Sequence, residues 1–195
     1  MERIVYLERE SIIADVRRPA CDHAWSEYAR TSQAEVEARL ADATIAIVNK
    51  LILDAETIAR LPMLKMIAVA ATGTNNVDLD ACRARGIVVS NIRGYAVHTV
   101  PEHAIALMLA LSRNLVAYRE SVQAGRWQES EQFCFFDHPI RDLHGATLAI
   151  IGSGSLGDGV VRLAEAFGMR VLKAERKGAA HCRPGITTLH VPALE

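Results

Sequence analysis

Cysteine is scarce and scattered in this chain: Cys21, Cys82, Cys134 and Cys182 show none of the CxxC spacings that build zinc or redox sites, so reduced thiols are expected. The seven histidines form no HExxH and no pair beside a carboxylate at ligand spacing, and no metal site is expected. A predominant charge is also missing. The formal net charge is -1 with both signs interspersed, which removes the broad field that nucleic acid or anionic lipid needs and leaves a small molecule as the expected partner. No apolar run approaches the roughly 20 residues that span a bilayer. The first residues lack a charged-then-apolar signal pattern, and the expectation is a cytoplasmic protein with no membrane partner. Neither a short fixed-period repeat nor a low-complexity tract occurs.

What is present is the composition of a folded chain, with 50% hydrophobic and 23% charged residues over 195 positions, enough for a real core and for two small domains. Short β-prone or apolar runs at Arg3 to Leu7, Ala43 to Val48, Lys65 to Ala71 and Ile87 to Ser90 alternate with helical stretches at Ser32 to Leu40, from the candidate cap Asp54 towards Leu61, and at Asp78 to Arg85. Compact apolar strands separated by helical crossovers predict a parallel α/β layer. Thr72-Gly73-Thr74-Asn75-Asn76 after the third run has the glycine and amides of a loop. From Val100 to Gln123 the sequence reads as one helix of more than twenty residues, unbroken after Pro101. Its Ile105, Leu107, Met108, Leu109 and Leu111 are apolar nearly all round, which predicts burial on two sides, against a second domain or another subunit. The domain boundary is expected near residues 92 to 100, dividing the chain into 1–98 and 99–195.

A second α/β unit begins after the loop-rich, aromatic stretch Gly125 to Leu143. Its strand Ala146 to Ile151 runs directly into Gly152-Ser153-Gly154-Ser155-Leu156-Gly157, a GxGxxG turn, and then into a helix in which Leu156, Val160, Leu163 and Phe167 recur at four, three and four residues. Three glycines alone are weak evidence; strand, turn and helix in that order are not. Gly168 closes the helix, Met169 to Leu172 supplies a second strand, and Glu175 stands at its end. Gly152 permits the tight turn, Gly154 lets backbone approach a pyrophosphate, and Gly157 lets helix pack on strand, while the helix start offers unpaired N–H donors. Glu175 would accept hydrogen bonds from an adenosine ribose and repel a 2'-phosphate, favouring NAD; Arg176 and Lys177 beside it leave NADP open.

Four stretches then carry a resemblance: AATGTNNVDLDACRARGI, which begins at Ala70, TVPEHAIALMLALSRN, FCFFDHPIRDLHG and TLAIIGSGSLG. Together they make the chain similar to the D-isomer-specific 2-hydroxyacid dehydrogenases, and within them to the glycerate dehydrogenases or hydroxypyruvate reductases. The resemblance implies a flavodoxin-like substrate domain followed by an incomplete Rossmann domain, the site in the cleft between them, and a homodimer through the 100–123 helix. It implies that Ala71, Thr72 and Gly73 offer backbone N–H groups to a substrate carboxylate, although the residues alone fit a simple strand-to-helix turn equally well. It also places Thr99 near the nicotinamide end of the cofactor, where a plain helix cap is the other reading, and Ser155 and Leu156 against the pyrophosphate. Trp127, Phe133, Phe135 and Phe136 are read as packing or dimer contacts. His98 and His103 are given structural roles, because only Glu102 lies near enough in sequence to orient either ring.

The family's carbonyl-polarising arginine and its glutamate–histidine pair match no position here, so no catalytic residue is assigned. The expectation is a chain shortened at its C-terminal side, with little turnover of its own. The alternative function is then a non-catalytic, dimeric nucleotide-binding or vestigial protein. Thr188 to Pro192 resembles a family strand that arrives early, and His190 within it is not read as the proton-transfer group. The Ala146 to Ile151 strand and its partner are expected to keep unpaired sheet edges.

Overall fold

In the computed structural model, residues 1–152, 154–176 and 187–191 are described, with residues 175–176 and 187–191 as backbone only. The chain divides into two compact units, Met1–Gly94 and Tyr95–Glu195.

The first unit is a five-stranded parallel sheet. Its strands are β1 (Glu2–Tyr6), β2 (His23–Glu27), β3 (Ile45–Val48), β4 (Met66–Val69) and β5 (Val88–Asn91), in the order β2-β1-β3-β4-β5. That order is the flavodoxin-like one, with the chain winding one way from β1 to β2 and the other way from β3 onwards. Helices α1 (Val36–Leu40), α2 (Ala55–Ala59) and α3 (Leu79–Ala84) are short, and side chains set where they start. Ser32 and Glu35 form a capping box ahead of α1, the Asp54 carboxylate accepts from Thr57 N at 2.8 Å, and Asp78 accepts from Asp80 N and Ala81 N. Between sheet and helices lies a continuous core that includes Leu7, Val36, Leu40, Ala46, Val48, Leu53, Ile58 and Ile67, all fully buried.

Strand β2 has no apolar run to announce it. His-Ala-Trp-Ser-Glu sits at the sheet edge, mostly exposed, and backbone bonds hold it to β1, flanked by Tyr28 N to Tyr6 O at 2.8 Å.

The second unit begins with a correction. The single helix expected over 100–123 is two, α4 (Thr99–Ser112) and α5 (Leu115–Gln123), followed by the one-turn α6 (Arg126–Glu129). Asn114 takes a left-handed conformation, φ 49°, and its Nδ2 donates to the Pro139 carbonyl. The Ser112 carbonyl accepts from Arg141 N at 2.8 Å, and Arg113 pairs with Asp142. The 139–142 segment thus takes up the groups that would have continued the helix, and asparagine tolerates the left-handed turn better than most residues.

Strands β6 (Thr147–Ile151), β7 (Arg170–Arg176) and β8 (Thr187–Val191) form a parallel sheet in that order, and α7 (Ser155–Ala166) connects β6 to β7. This is the consecutive strand order of one Rossmann half. A second expectation is corrected here: β7 is paired on both sides, because the early stretch resembling a family strand does form β8. Helix α4 packs on α7 at a close crossing, where a Cβ on Gly159 would meet Pro101 Cγ at 2.5 Å. Of Ile105, Leu107, Met108, Leu109 and Leu111, only Ile105 is buried, while Leu107 and Leu111 are 52% and 78% exposed.

Candidate functional site

Two turns stand at the C-terminal ends of parallel strands, where α/β sheets present ligand sites, one in each unit. The first follows β4. Ala71 is buried and its carbonyl accepts from Ile92 N at 3.0 Å, while Asn91 at the end of β5 donates its Nδ2 to the Thr72 carbonyl at 2.7 Å. With both carbonyls tied back to the neighbouring strand, Thr72 and Gly73 are exposed, and their N–H groups donate to no acceptor among the described residues. Free, adjacent N–H groups of this kind can hold one carboxylate.

The loop beside it, after β3, is fixed by side chains. The Glu8 carboxylate accepts from the N–H groups of Asn49, Lys50 and Leu51, Gln33 grips both backbone groups of Ile52, and Asn76 donates to the Leu51 carbonyl at 2.9 Å. The Ala70 N to Val48 O bond, 2.7 Å, ties β4 to the end of β3 just before that turn.

The second turn joins β6 to α7. Gly152 has φ 106°, a conformation that side chains resist, and Gly154 precedes the helix in an extended conformation. At Gly157 a Cβ would lie 2.7 Å from the Gly152 carbonyl oxygen and 3.4 Å from Ile150 Cγ2, so only glycine lets α7 sit this close to β6. The first intrahelical bond runs from Asp158 N to Gly154 O at 3.0 Å. The N–H groups of Ser155, Leu156 and Gly157 therefore remain at the open end of a twelve-residue helix, as an anion requires. These observations fit a dinucleotide pyrophosphate. Ser153 lies outside the described residues, as do the side chains of Glu175 and Arg176, whose backbones close β7 opposite His190 and Val191.

Thr99 is the exposed first residue of α4, and it does not cap the helix; His98 precedes it, also without a side-chain cap bond. His103 is exposed on the first turns of α4. Among the described residues no three histidine, cysteine or acidic side chains gather into a metal-ligand set.

Residues 8–188 match the family described as D-isomer specific 2-hydroxyacid dehydrogenase, catalytic domain. The chain belongs to this family. A Haemophilus influenzae relative is 45% identical over 99% of this chain and 66% of its own length. The glycerate dehydrogenase of Methylorubrum extorquens is 47% identical over 98% of this chain and 64% of its own. The chain thus spans about two thirds of the length of these curated relatives. Among solved structures, an NADPH-dependent glyoxylate/hydroxypyruvate reductase from Sinorhizobium meliloti, determined with citrate, superposes with a TM-score of 0.76. It is 25% identical, and the match covers 98% of this chain and 59% of that one.

Within this family member the sequence reading missed the residues that hold the turns. Asn91 reads as one more polar residue ending a strand, and only the fold brings it to Thr72. Lys173 carried a usable signal, being a charge inside the otherwise apolar run Val171-Leu172-Lys173-Ala174. Its ammonium is buried and pairs with Asp158 in the first turn of α7 at 2.5 Å.

The aromatic stretch divides in two. Phe135 is buried, with Tyr118 tilted against it and Trp127 edge-on to it, ring centroids 5.3 and 6.2 Å away, and the Arg126 guanidinium lies over its ring. Phe133 and Phe136 point into solvent. Tyr118, Trp127, Cys134 and Phe135, with Leu115 and Val122 of α5, line a groove of about 500 Å³.

Proposed function

We propose that this chain supplies the substrate-carboxylate turn and the cofactor turn of an NAD(P)-dependent oxidoreductase that reduces a small 2-keto acid, of the hydroxypyruvate or glyoxylate type, to the D-2-hydroxy acid. The carrying observation is the Gly152–Gly157 turn, with a positive φ at its first glycine, no room for a Cβ at its last, and free N–H groups at the start of α7. Family membership and the activity named for the Methylorubrum extorquens relative support the substrate class. The cofactor, when bound, supplies or accepts the hydride. The backbone of Ser155 and Leu156 holds its pyrophosphate, Glu175 takes the adenosine ribose, and Thr99 lies towards the nicotinamide. Ala71, Thr72 and Gly73 hold the substrate carboxylate through N–H groups, with Asn91 fixing the turn. Residues 1–98 are the substrate domain and 99–195 carry the cofactor site. Glu175 makes NAD the first reading, and the adjoining Arg176, with the NADPH dependence of the Sinorhizobium meliloti neighbour, makes NADP the second.

A homodimer in the cytoplasm is the assembly that fits the exposed apolar flank of α4 and the groove beside α5. Light scattering on the purified chain tests it: twice the monomer mass is expected, reduced to the monomer mass by Leu111→Glu.

The function is tested by titrating NADH and NADPH against the chain and following nicotinamide fluorescence, then adding hydroxypyruvate and following loss of reduced cofactor. Saturable binding of one cofactor is the expected result, and a flat titration with both would sink the cofactor assignment. Binding without turnover would leave the second reading, a cofactor-binding dimer with no activity of its own.

A further inference from the structure

A parallel strand covered by a helix is normally apolar on the covered face, and a buried lysine there is costly unless it is paired. Lys173 of strand β7 breaks that pattern. Lys173 lies in register with Ile150 of β6, the residue whose Cγ2 approaches Gly157, so its side chain shares the face covered by α7. The Lys173 side chain is only 6% exposed, and its Nζ lies 2.5 Å from Oδ1 of Asp158, itself one-third exposed. Asp158 directly follows Gly157, the last residue of the anion-facing turn. A lone carboxylate there favours the helix dipole but repels any phosphate bound at the same N–H groups.

Building on the dinucleotide reading above, we propose that Lys173 is a positioning residue of the cofactor site. Its ammonium offsets the Asp158 charge beneath the pyrophosphate turn and fastens the first turn of α7 to β7, the strand that carries Glu175. The pair thus joins the two parts of the chain that would hold opposite ends of the adenosine diphosphate, the pyrophosphate at Ser155 and Leu156 and the ribose at Glu175. Two other arrangements explain less. A neutral, purely structural tether would need no charge on either partner, and a lysine reaching the phosphates directly would not be buried against Asp158.

The test uses Lys173→Met, Asp158→Asn and the double variant, with NADH titrated by fluorescence and the melting-temperature rise caused by inorganic pyrophosphate measured in parallel. Lys173→Met removes the buried positive charge paired with Asp158 and is expected to weaken NADH binding about tenfold. The double variant removes both charges and is expected to return affinity to within about threefold of the wild type, a rescue that a structural tether would not give. Asp158→Asn alone, which keeps the lysine and guards against a misfolded methionine variant, is expected to tighten binding about twofold. The pyrophosphate shifts should follow the same order. Unchanged affinity in Lys173→Met, a double variant as weak as Lys173→Met, or weaker binding in Asp158→Asn would each overturn the assignment. If pyrophosphate stabilises the wild-type chain and NADH does not bind, the dinucleotide reading fails while the pyrophosphate series still decides on Lys173; a wild-type response to neither overturns both.

Discussion

The two units solve the same packing problem to different degrees. In Met1–Gly94 a five-stranded sheet and three short helices enclose a continuous core in which eight aliphatic or alanine residues have no exposed surface. In Tyr95–Glu195 the three-stranded sheet has α7 on one face, and along β6 the residues that point the other way, Thr147, Ala149 and Ile151, are exposed, Ile151 at 83%. Leu107 and Leu111 of α4 are exposed as well. A parallel strand gains its stability from being covered on both faces. The first unit therefore holds itself together, while the second has apolar surface to offer a partner element or a second chain.

That contrast is broken or upheld most strongly by emptying one side chain in each sheet. Ile67 of β4 has no exposed surface, and Ile67→Ala is expected to cost about 3 kcal/mol through lost burial and a residual cavity. Ile151→Ala in β6 should change stability by no more than about 0.5 kcal/mol, because its side chain already meets solvent. The two tryptophans allow the units to be read separately, Trp25 in the first and Trp127 in the second. Urea unfolding of single-tryptophan variants, Trp25→Phe and Trp127→Phe, gives each midpoint. Equal losses from the two alanine variants would show that the Ile151 face is covered in solution, and would turn attention to what covers it.

Much of the difference between the units was legible in the sequence, for reasons that can be named. Alternation of apolar strands with capped helices is local information, and β1, β3, β4 and β5 fall where the apolar runs place them, with Asp54 and Ser32 at the helix starts. The GxGxxG turn carries its own context of strand and helix, so β6, α7 and β7 follow as read. The failures are tertiary. Strand β2 exists because β1 offers it an edge, and its His-Ala-Trp-Ser-Glu has no periodic signal. The break at Asn114 depends on the Pro139 carbonyl, which lies 25 residues away in the chain. The partners that set the two turns, Asn91 with Thr72 and Lys173 with Asp158, meet only in the fold.

A smaller effect separates the glycines of the two turns. At Gly157 an added Cβ meets backbone at 2.7 Å, and α7 must move; at Gly73 it meets only the Asn75 side-chain oxygen at 3.1 Å, which can yield. Gly157→Ala is expected to weaken NADH binding at least about tenfold, as displacement of the helix start costs the anion contacts. Gly73→Ala should leave NADH affinity within about twofold and act on the 2-keto acid instead. Fluorescence titration of both variants checks this, and equal cofactor losses would mean that the turns are not the separate devices proposed here.

The smallest expected effect lies in acid. The Thr57 backbone N–H and hydroxyl hold the Asp54 carboxyl below its ordinary value of 3.8, and Ser32 holds Glu35 below 4.5, followed by the charge of Arg39. Lys65 does the same for Glu2. In the second unit Arg126 lowers Asp137. A carboxyl with a depressed folded pKa binds protons more readily in the unfolded chain, so its contribution is complete above the ordinary value and is lost as pH falls through the folded one. Three such groups brace the first unit, two of them at helix starts and one at the start of β1. Its Trp25-reported urea midpoint should therefore begin to fall as pH drops below 4.5, towards the depressed values. Asp54→Asn retains an acceptor for Thr57 N–H and should flatten that slope slightly, whereas Asp54→Ala should lower the midpoint at neutral pH as well. A slope unchanged in Asp54→Asn would remove the α2 cap from the acid response and leave it to the Ser32–Glu35 box and the Glu2–Lys65 pair.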